Sequence, residues 1–330
     1  MLEKIETDFT RLLDCRYPII GAPMFLVSNE LMVSEISEAG GVGVFPALNF
    51  RPIEKYEEAI KKIKNLTRKP FGINIIVNKS NIRQKDDLKI ALDLDVPFFI
   101  TSLGNPAEVI KDAHRNGAKV FCDVTNLEHA LKVQDLGADG VIAVGTGAGG
   151  HSGPISPVVL IPWLKETLSI PVAAAGGVTN GVTMAGMLAL GASAVSVGTR
   201  FISSVEAPVV EEYKQAIVDA SPEDIVMTTR VSGTPAAVIN TEYVQKMEKE
   251  LPWWIEQLKK NSYTKKIMTP LIHVAGMKTL ENAAKGGSWK TIWSAGQSVG
   301  LIHDILPCKK IVEDMVLDYE KRINSLSGLK

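Results

Sequence analysis

Short apolar runs, each bounded by turn residues, recur along the first two hundred residues of the chain. Between them, apolar residues return with the period of an amphipathic helix. The runs that predict strands are residues 18–24, 42–45, 71–77, 97–101, 119–123, 140–144, 171–175 and 194–197. Their spacing leaves room for one helix and two loops in each unit, which is typical of parallel strands joined by helices. Eight consecutive right-handed units close into a barrel, so we predict an α/β fold, the (β/α)8 or TIM barrel.

Capping residues support the helices between these strands. Ser28 or Asn29 can cap a helix over residues 30–39, and Asn126 can cap one that ends at Leu136. The phrases AHRNGAKVF, KVQDLGADGVI and MLALGASAVSV share one order, in which a helix end and a Gly-Ala or similar pair precede a strand. This recurrence indicates internal repetition of one structural unit.

The chain continues well beyond the eighth predicted strand. We expect residues 1–204 and 291–330 to form the barrel, and residues 205–290 to form an added helical cap that acts as a substrate domain. One cap helix would carry Trp253 and Trp254. The competing Rossmann fold needs GxGxxG after the first strand, and the segment IIGAPMFLVS does not supply it.

Composition narrows the class of protein. Lys and Arg number 36 and Asp and Glu 37, so the net charge of −1 provides no basic field for nucleic acid. Cys15, Cys122 and Cys308 lie far apart and form no CxxC pair, which argues against a disulfide framework and a zinc site. Residues 1–20 lack an apolar signal core, and no run reaches the ~20 apolar residues of a membrane span. We therefore expect a cytoplasmic protein without a nucleic-acid or membrane partner.

Two glycine turns follow the seventh and eighth predicted strands. Gly176 and Gly177 come after one, and Gly198 comes after the other. In an α/β barrel the carboxyl ends of the strands form the active face, and backbone N–H groups after strands 7 and 8 commonly bind phosphate. The two turns predict a phosphorylated ligand.

The densest glycine segment, residues 145–154, follows the sixth predicted strand and contains one titratable residue, His151. A loop with few side chains can lie against a flat ligand. A neutral imidazole can remove a proton or hold an oxyanion near neutral pH, so His151 is the candidate catalytic residue. The other histidines lie in helical or cap contexts and none of them pairs with metal-ligand spacing, so we expect no metal site; they are His114, His129, His273 and His303.

Six motifs in this order resemble one family: GAPM at 21–24, FGIN at 71–74, GAGGHSG at 147–153, AAAGGV at 173–178, VSVGTRF at 195–201 and WSAGQSVGLI at 293–302. The chain resembles the FMN-dependent nitronate monooxygenases, formerly called 2-nitropropane dioxygenases. These are related to FMN-dependent enoyl-acyl-carrier-protein reductases and to certain NADH:quinone reductases. Many members carry an acidic residue before the GGH triplet, where this chain has Thr146, Gly147 and Ala148.

The resemblance implies FMN as the cofactor and assigns residues to it. His151 would face the substrate side of the ring, and Asn74 would hydrogen-bond the flavin. Val144 and Gly149 would meet the flavin through backbone groups. The residues along the isoalloxazine would be Ala22, Pro23 and Met24, and those that hold the phosphate would be Gly176, Gly177, Ser196, Val197, Gly198 and Thr199.

The resemblance also implies the reaction. The leading hypothesis is the oxidation of alkyl nitronates, derived from nitroalkanes, with O2 to a carbonyl compound and nitrite. The alternatives are an NAD(P)H-dependent FMN enoyl-acyl-carrier-protein reductase or an NADH:quinone reductase. A third hypothesis is a ligand-binding barrel without turnover. The partners would be a small-molecule substrate and O2, with NAD(P)H for the alternatives, and the sequence leaves open whether the chain forms a homodimer.

Overall fold

The computed structural model describes residues 2–230, 234–249 and 292–328. Eight parallel strands form a closed barrel in chain order, with the first strand paired to the last. The strands are β1 (Ile19–Gly21), β2 (Val42–Pro46), β3 (Gly72–Ile76), β4 (Phe98–Ser102), β5 (Lys119–Val124), β6 (Gly140–Val144), β7 (Val172–Ala175) and β8 (Ala194–Val197). The predicted TIM barrel is confirmed, and each predicted run contains or overlaps its strand.

One α-helix precedes the barrel and others alternate with its strands: α1 (Asp8–Leu13), α2 (Glu30–Glu38), α3 (Ile53–Leu66), α4 (Gln84–Asp93), α5 (Ala107–Arg115), α6 (Leu127–Asp135), α7 (Pro157–Thr167) and α8 (Gly181–Ala189). The Asn29 side chain accepts a hydrogen bond from Met32 N–H at 2.8 Å at the start of α2. Asn126 caps α6 in the same way, through His129 N–H at 2.9 Å. Both predicted caps are confirmed, because each satisfies a helix N–H that lacks a backbone partner.

Strand alternation divides the buried residues into an outer layer between strands and helices and a core inside the barrel. Helix α1, which the sequence pattern did not predict, closes the amino-terminal end of the barrel. Its Phe9 packs edge-to-face on Phe98 and Phe121, with ring centroids 6.1 and 5.7 Å apart. Because that end is filled with aromatic rings, a ligand can reach the barrel interior only from the carboxyl ends of the strands.

The segment after β8 contains both helices and strands: α9 (Thr199–Ile202), α10 (Glu211–Asp219), β9 (Ile225–Thr228), β10 (Ala236–Ile239) and α11 (Glu242–Lys249). Strands β9 and β10 form an antiparallel hairpin, an element that the expected helical cap did not include. Four-residue strands are too short for a clear period of two, which is why the pattern did not predict them. Trp253, Trp254 and His273 lie outside the described residues, and the domain boundaries stay a prediction.

The C-terminal helix (Cys308–Ser327) packs on α8. The packing is close at Gly181, where a Cβ atom would lie 2.1 Å from the Met315 carbonyl oxygen. A larger residue does not fit between the two helices, so the C-terminal helix is held closely against the barrel helix α8. In the described ranges, we find no helix with the length and apolar character needed to cross a membrane.

Candidate active site

The layer of inward-facing residues at the carboxyl ends of the strands has two chemically different halves. Asn74 on β3, Ser102 on β4 and Asp123 on β5 alternate with outer-layer residues and face the barrel interior. We call these three residues the polar arc. On the other side, small side chains and glycine turns surround the opening. We call this set the small-residue arc; it consists of Ala22, Ala175, Gly176, Gly177, Ser196 and Gly198.

The polar arc is a chain of hydrogen bonds across three neighbouring strands. Asn74 Nδ2 donates to Ser102 Oγ at 2.7 Å and to the Ile100 carbonyl oxygen at 3.3 Å. Ser102 Oγ donates to Asp123 Oδ2 at 2.6 Å. Burial raises the pKa of Asp123 to about 6, because a low-dielectric site disfavours the charged form, while the Ser102 bond lowers it. The sequence motifs predicted Asn74 and missed Ser102 and Asp123, which alternation along β4 and β5 could have identified.

The glycine turns of the small-residue arc leave an open backbone surface. Gly177 has φ +74°, and a Cβ atom there would meet nothing within 4 Å. Gly176 has φ +107°, and its Cβ would lie 2.9 Å from the Thr146 carbonyl oxygen. Both positions therefore require glycine, one for backbone conformation alone and the other also for space. Gly198 has φ −108°, so conformation does not restrict it.

The loop after β1 is fixed beside the Gly198 turn. Ala22 N–H donates to the Val197 carbonyl oxygen at 2.9 Å, and the Met24 sulfur lies 3.7 Å from the Cβ position of Gly198. Asn49 Nδ2 donates to the Met24 carbonyl oxygen at 3.0 Å and Asn49 Oδ1 accepts from Leu26 N–H at 2.9 Å. The predicted residues 22–24 therefore lie at the mouth, and Asn49, which the motifs missed, holds their loop.

Val197 and Thr199, which were predicted to hold a phosphate, also make contacts within the protein. The Val197 side chain is fully buried in the outer layer, away from the barrel interior. Any contact of Val197 with a cofactor would come from its backbone. Thr199 Oγ1 accepts a hydrogen bond from Gly296 N–H at 3.0 Å, which leaves its hydroxyl hydrogen for another acceptor.

The glycine loop after β6 is held on two sides. Gly150 N–H donates to the Ala237 carbonyl oxygen at 3.0 Å, and Ala237 N–H donates to the Gly150 carbonyl oxygen at 2.8 Å. On the other side, a Cβ atom at Gly149 would lie 2.9 Å from the Ala295 carbonyl carbon. The loop therefore packs between the β9–β10 hairpin and the segment after residue 292.

His151 follows this clamped loop directly, and its side chain is exposed. Val144, the last residue of β6, packs on the barrel core at the base of the same loop. The structure thus brings the predicted histidine and the predicted β6 residue to one loop at the mouth.

Within the described residues, we looked for reactive thiols and for clusters of side chains that could bind a metal ion. Burial raises the pKa of Cys15 and of Cys122 to about 12, and it raises the pKa of Cys308 further, so all three thiols stay protonated near neutral pH. Residues 2–230, 234–249 and 292–328 contain no cluster of three or more His, Cys, Asp or Glu side chains that could hold a metal ion.

Comparisons with known proteins agree with this geometry. The family model "Nitronate monooxygenase" matches residues 6–91 and 81–318. A Rhodococcus jostii protein named (3aS,4S,5R,7aS)-5-hydroxy-7a-methyl-1-oxo-octahydro-1H-indene-4-carboxyl-CoA dehydrogenase is 30% identical, with 100% of both chains covered. A probable nitronate monooxygenase of Staphylococcus saprophyticus is 29% identical, covering 97% of this chain and 99% of the relative.

Two solved structures are similar over nearly their whole length. FabK of Thermotoga maritima, an enoyl-acyl-carrier-protein reductase, has a TM-score of 0.87 and 34% identity, covering 99% of this chain and 100% of FabK. A nitroalkane oxidase from Streptomyces ansochromogenes has a TM-score of 0.83 and 25% identity, covering 97% of this chain and 100% of the oxidase. With the barrel, the glycine turns and the family match together, the chain belongs to the nitronate monooxygenase family of flavin-dependent oxidoreductases.

Proposed function

We propose that the protein binds FMN non-covalently at the barrel mouth and oxidises alkyl nitronates with O2 to carbonyl compounds and nitrite. The observation that carries this proposal is the open backbone surface at Gly177 on the rim that also carries the clamped glycine loop and His151. A flat, phosphorylated cofactor needs both features, because its ring requires a surface without bulky side chains and its phosphate requires backbone donors.

The residues present fit FMN. Gly176, Gly177, Gly198 and Thr199 would hold the phosphate, with Ser196 and the backbone of Val197 beside them. Ala22, Pro23 and Met24 would line the ring, and the backbones of Val144 and Gly149 would meet it from the side of β6. Asn74 is 94% buried, since its relative exposure is 6%, and both of its amide hydrogens are used within the protein. Its Oδ1 is therefore the atom that can accept a hydrogen bond from the cofactor.

When bound, FMN supplies the redox chemistry by taking electrons from the substrate and passing them to O2. The protein orients the reactive carbon and controls protons. His151 is the titratable group of the glycine loop, and a neutral imidazole there would remove the proton from the α-carbon of a nitroalkane to give the nitronate. The balanced overall change is two nitronates and one O2 giving two carbonyl compounds and two nitrite ions.

Cofactor analysis and product analysis test this proposal together. The purified protein should be yellow, and heat or acid should release FMN, identified by chromatography against FMN and FAD standards. Incubation with an alkyl nitronate in air should then form nitrite and carbonyl product in equal amounts. Finding FAD, or finding protein that neither carries nor takes up FMN, would contradict the cofactor assignment. Bound FMN without nitrite formation would contradict the reaction.

A second candidate function is oxidation or reduction of a carbon–carbon bond in an acyl thioester. Two similarities favour it: the 34% identity to FabK and the 30% identity to the Rhodococcus carboxyl-CoA dehydrogenase. Rapid anaerobic reduction of the bound flavin by NADH or NADPH, with no reduction by nitronate, would favour this reaction.

A further inference from the structure

The polar arc contains an ionisable group that the proposed reaction does not use. Asp123 faces the barrel interior beneath the mouth, and burial is the largest influence on its carboxyl group. Its described side-chain hydrogen bond is the one from Ser102. Asp123 is half-buried, and a carboxylate withdrawn from water with so little compensation costs stability; the last inward-facing positions of β6 and β7 carry Val144 and Ala175 instead. Packing alone therefore does not account for an aspartate at this position.

The hydrogen bonds of the polar arc have one consistent direction. The Ile100 carbonyl oxygen can only accept, so the Asn74 atom 3.3 Å from it is Nδ2. The second Nδ2 hydrogen goes to Ser102 Oγ at 2.7 Å. Ser102 can accept that bond because its own hydrogen goes to Asp123 at 2.6 Å. Ionised Asp123 only accepts, and it thereby fixes the direction of the whole chain.

This direction determines which Asn74 atom a cofactor meets. With both amide hydrogens committed, the side chain offers Oδ1 as an acceptor and offers no donor. The flavin ring carries an N–H at N3 in every redox state and gains one at N5 on two-electron reduction. We propose that Asp123 and Ser102 are positioning residues that hold the Asn74 amide with Oδ1 toward the mouth, where it accepts a hydrogen bond from a flavin N–H. This inference rests on the proposed binding of FMN.

The dissociation constant of FMN, measured by fluorescence titration of apoprotein, tests the inference without reference to activity. Ser102→Ala removes the acceptor that holds Asn74 and should weaken FMN binding about tenfold, the effect of one lost hydrogen bond of ordinary strength. Ser102→Thr keeps the hydroxyl and should restore affinity to within about threefold of the wild type. Asp123→Asn can donate to Ser102 and so reverse the chain, and it should also weaken FMN binding.

Thr101→Val is the matched control. Thr101 precedes Ser102 on β4, its hydroxyl is buried, and it donates to Cys122 Sγ at 3.1 Å on the outer face of the strand. Its loss should lower thermal stability as much as the loss of the Ser102 hydroxyl while leaving the FMN dissociation constant unchanged. A general weakening of the barrel would instead change FMN binding equally in both variants and would overturn the inference.

A double-mutant cycle decides whether Ser102 acts through Asn74. If it does, Asn74→Ala with Ser102→Ala should bind FMN no more weakly than Asn74→Ala alone. Additive losses would overturn the inference. If Asn74→Ala does not weaken binding, the proposed cofactor site is wrong. If Asn74→Ala weakens binding but Ser102→Ala and Asp123→Asn do not, the site stands and the positioning role is overturned.

Discussion

The two halves of the barrel mouth, the polar arc and the small-residue arc, present different groups to a ligand. The polar arc uses side chains, and its three residues are linked by two hydrogen bonds, of 2.7 and 2.6 Å, that run toward the carboxyl group of Asp123. The small-residue arc uses the backbone, and two of its glycines, Gly176 and Gly177, have positive φ. In the polar arc, the positions of the protons determine which ligand atoms can form hydrogen bonds. In the small-residue arc, the absence of large side chains determines which ligand shapes can fit.

Each of the two arcs also lowers the stability of the folded chain. A buried carboxylate with a single hydrogen bond destabilises the folded chain above its pKa. Glycines lose more conformational entropy on folding than other residues do. Both costs fall on the face that would bind the cofactor, whereas the opposite end of the barrel is filled by Phe9, Phe98 and Phe121. Stability and ligand binding are thus separated along the barrel axis.

The largest expected effect concerns the small-residue arc. Gly177→Val should abolish FMN retention, because the side chain would fill the open space at φ +74° and strain the turn. Gly117→Val is the matched control, since Gly117 has φ +75°, has nothing within 4 Å of its Cβ position and lies before β5 at the far end of the barrel. Flavin content after purification and the dissociation constant of added FMN measure the effect.

Both variants should lose similar thermal stability, by about 1–2 kcal/mol for the left-handed backbone. Full flavin occupancy in Gly177→Val would mean that the glycine serves the turn alone. A matching flavin loss in Gly117→Val would assign the effect to folding.

The next largest effect concerns His151 in the glycine loop. His151→Asn should lower kcat/KM for a neutral nitroalkane by about 10²–10⁴, the usual contribution of a positioned base. Preformed nitronate needs no deprotonation, so its kcat/KM should fall much less, and flavin content should not change. Equal losses on both forms would assign His151 to charge stabilisation, and no loss on either would remove it from the mechanism.

These two experiments involve residues that the sequence identified, whereas the hydrogen bonds that join the three residues of the polar arc could not be predicted from the sequence. The barrel was predictable because its strands are continuous apolar runs at regular intervals. Asn74, His151 and the glycine turns were predictable because they belong to motifs. Ser102 and Asp123 belong to no motif, and their link to Asn74 depends on the register between β3, β4 and β5. The β9–β10 hairpin was missed because its strands are too short for a clear period of two, and its hydrogen bonds with Gly150 were missed because they join distant parts of the chain.

Asp123 of the polar arc should make the stability of the folded protein depend on pH. Burial raises the pKa of Asp123 in the folded protein to about 6, above the 3.8 of a solvent-exposed aspartate, so the folded protein binds more protons than the unfolded chain between these values. Stability should therefore fall as pH rises from about 4 to 6, by up to about 3 kcal/mol. In apoprotein, Asp123→Asn should remove this fall and be more stable than the wild type above pH 6.

Denaturant unfolding at several pH values measures this effect. Asp135→Asn, on the exposed surface of α6, is the control and should change stability by less than about 0.5 kcal/mol at every pH. If Asp123→Asn parallels the wild type across the range, then the carboxyl group does not titrate with a raised pKa.

The smallest expected effect concerns the hairpin. Ala237→Pro removes the N–H that donates to Gly150 at 2.8 Å and should loosen the loop before His151. The kcat/KM should fall about tenfold, as expected for one lost hydrogen bond that positions a catalytic group, while FMN stays bound. Ala237→Ser keeps the N–H and should behave like the wild type. Loss of flavin in Ala237→Pro would show that the hairpin supports the cofactor rather than the histidine.

We propose that this family member oxidises nitronates through the FMN that it would bind at the barrel mouth. The decisive experiment mixes the purified protein anaerobically with an alkyl nitronate or with NADH or NADPH and follows the visible absorbance of the flavin. We expect nitronate to bleach the flavin within the turnover time, the nicotinamides to leave it oxidised, and O2 to restore the colour with release of nitrite. Bleaching by NADH or NADPH alone, with no response to nitronate, would contradict this proposal.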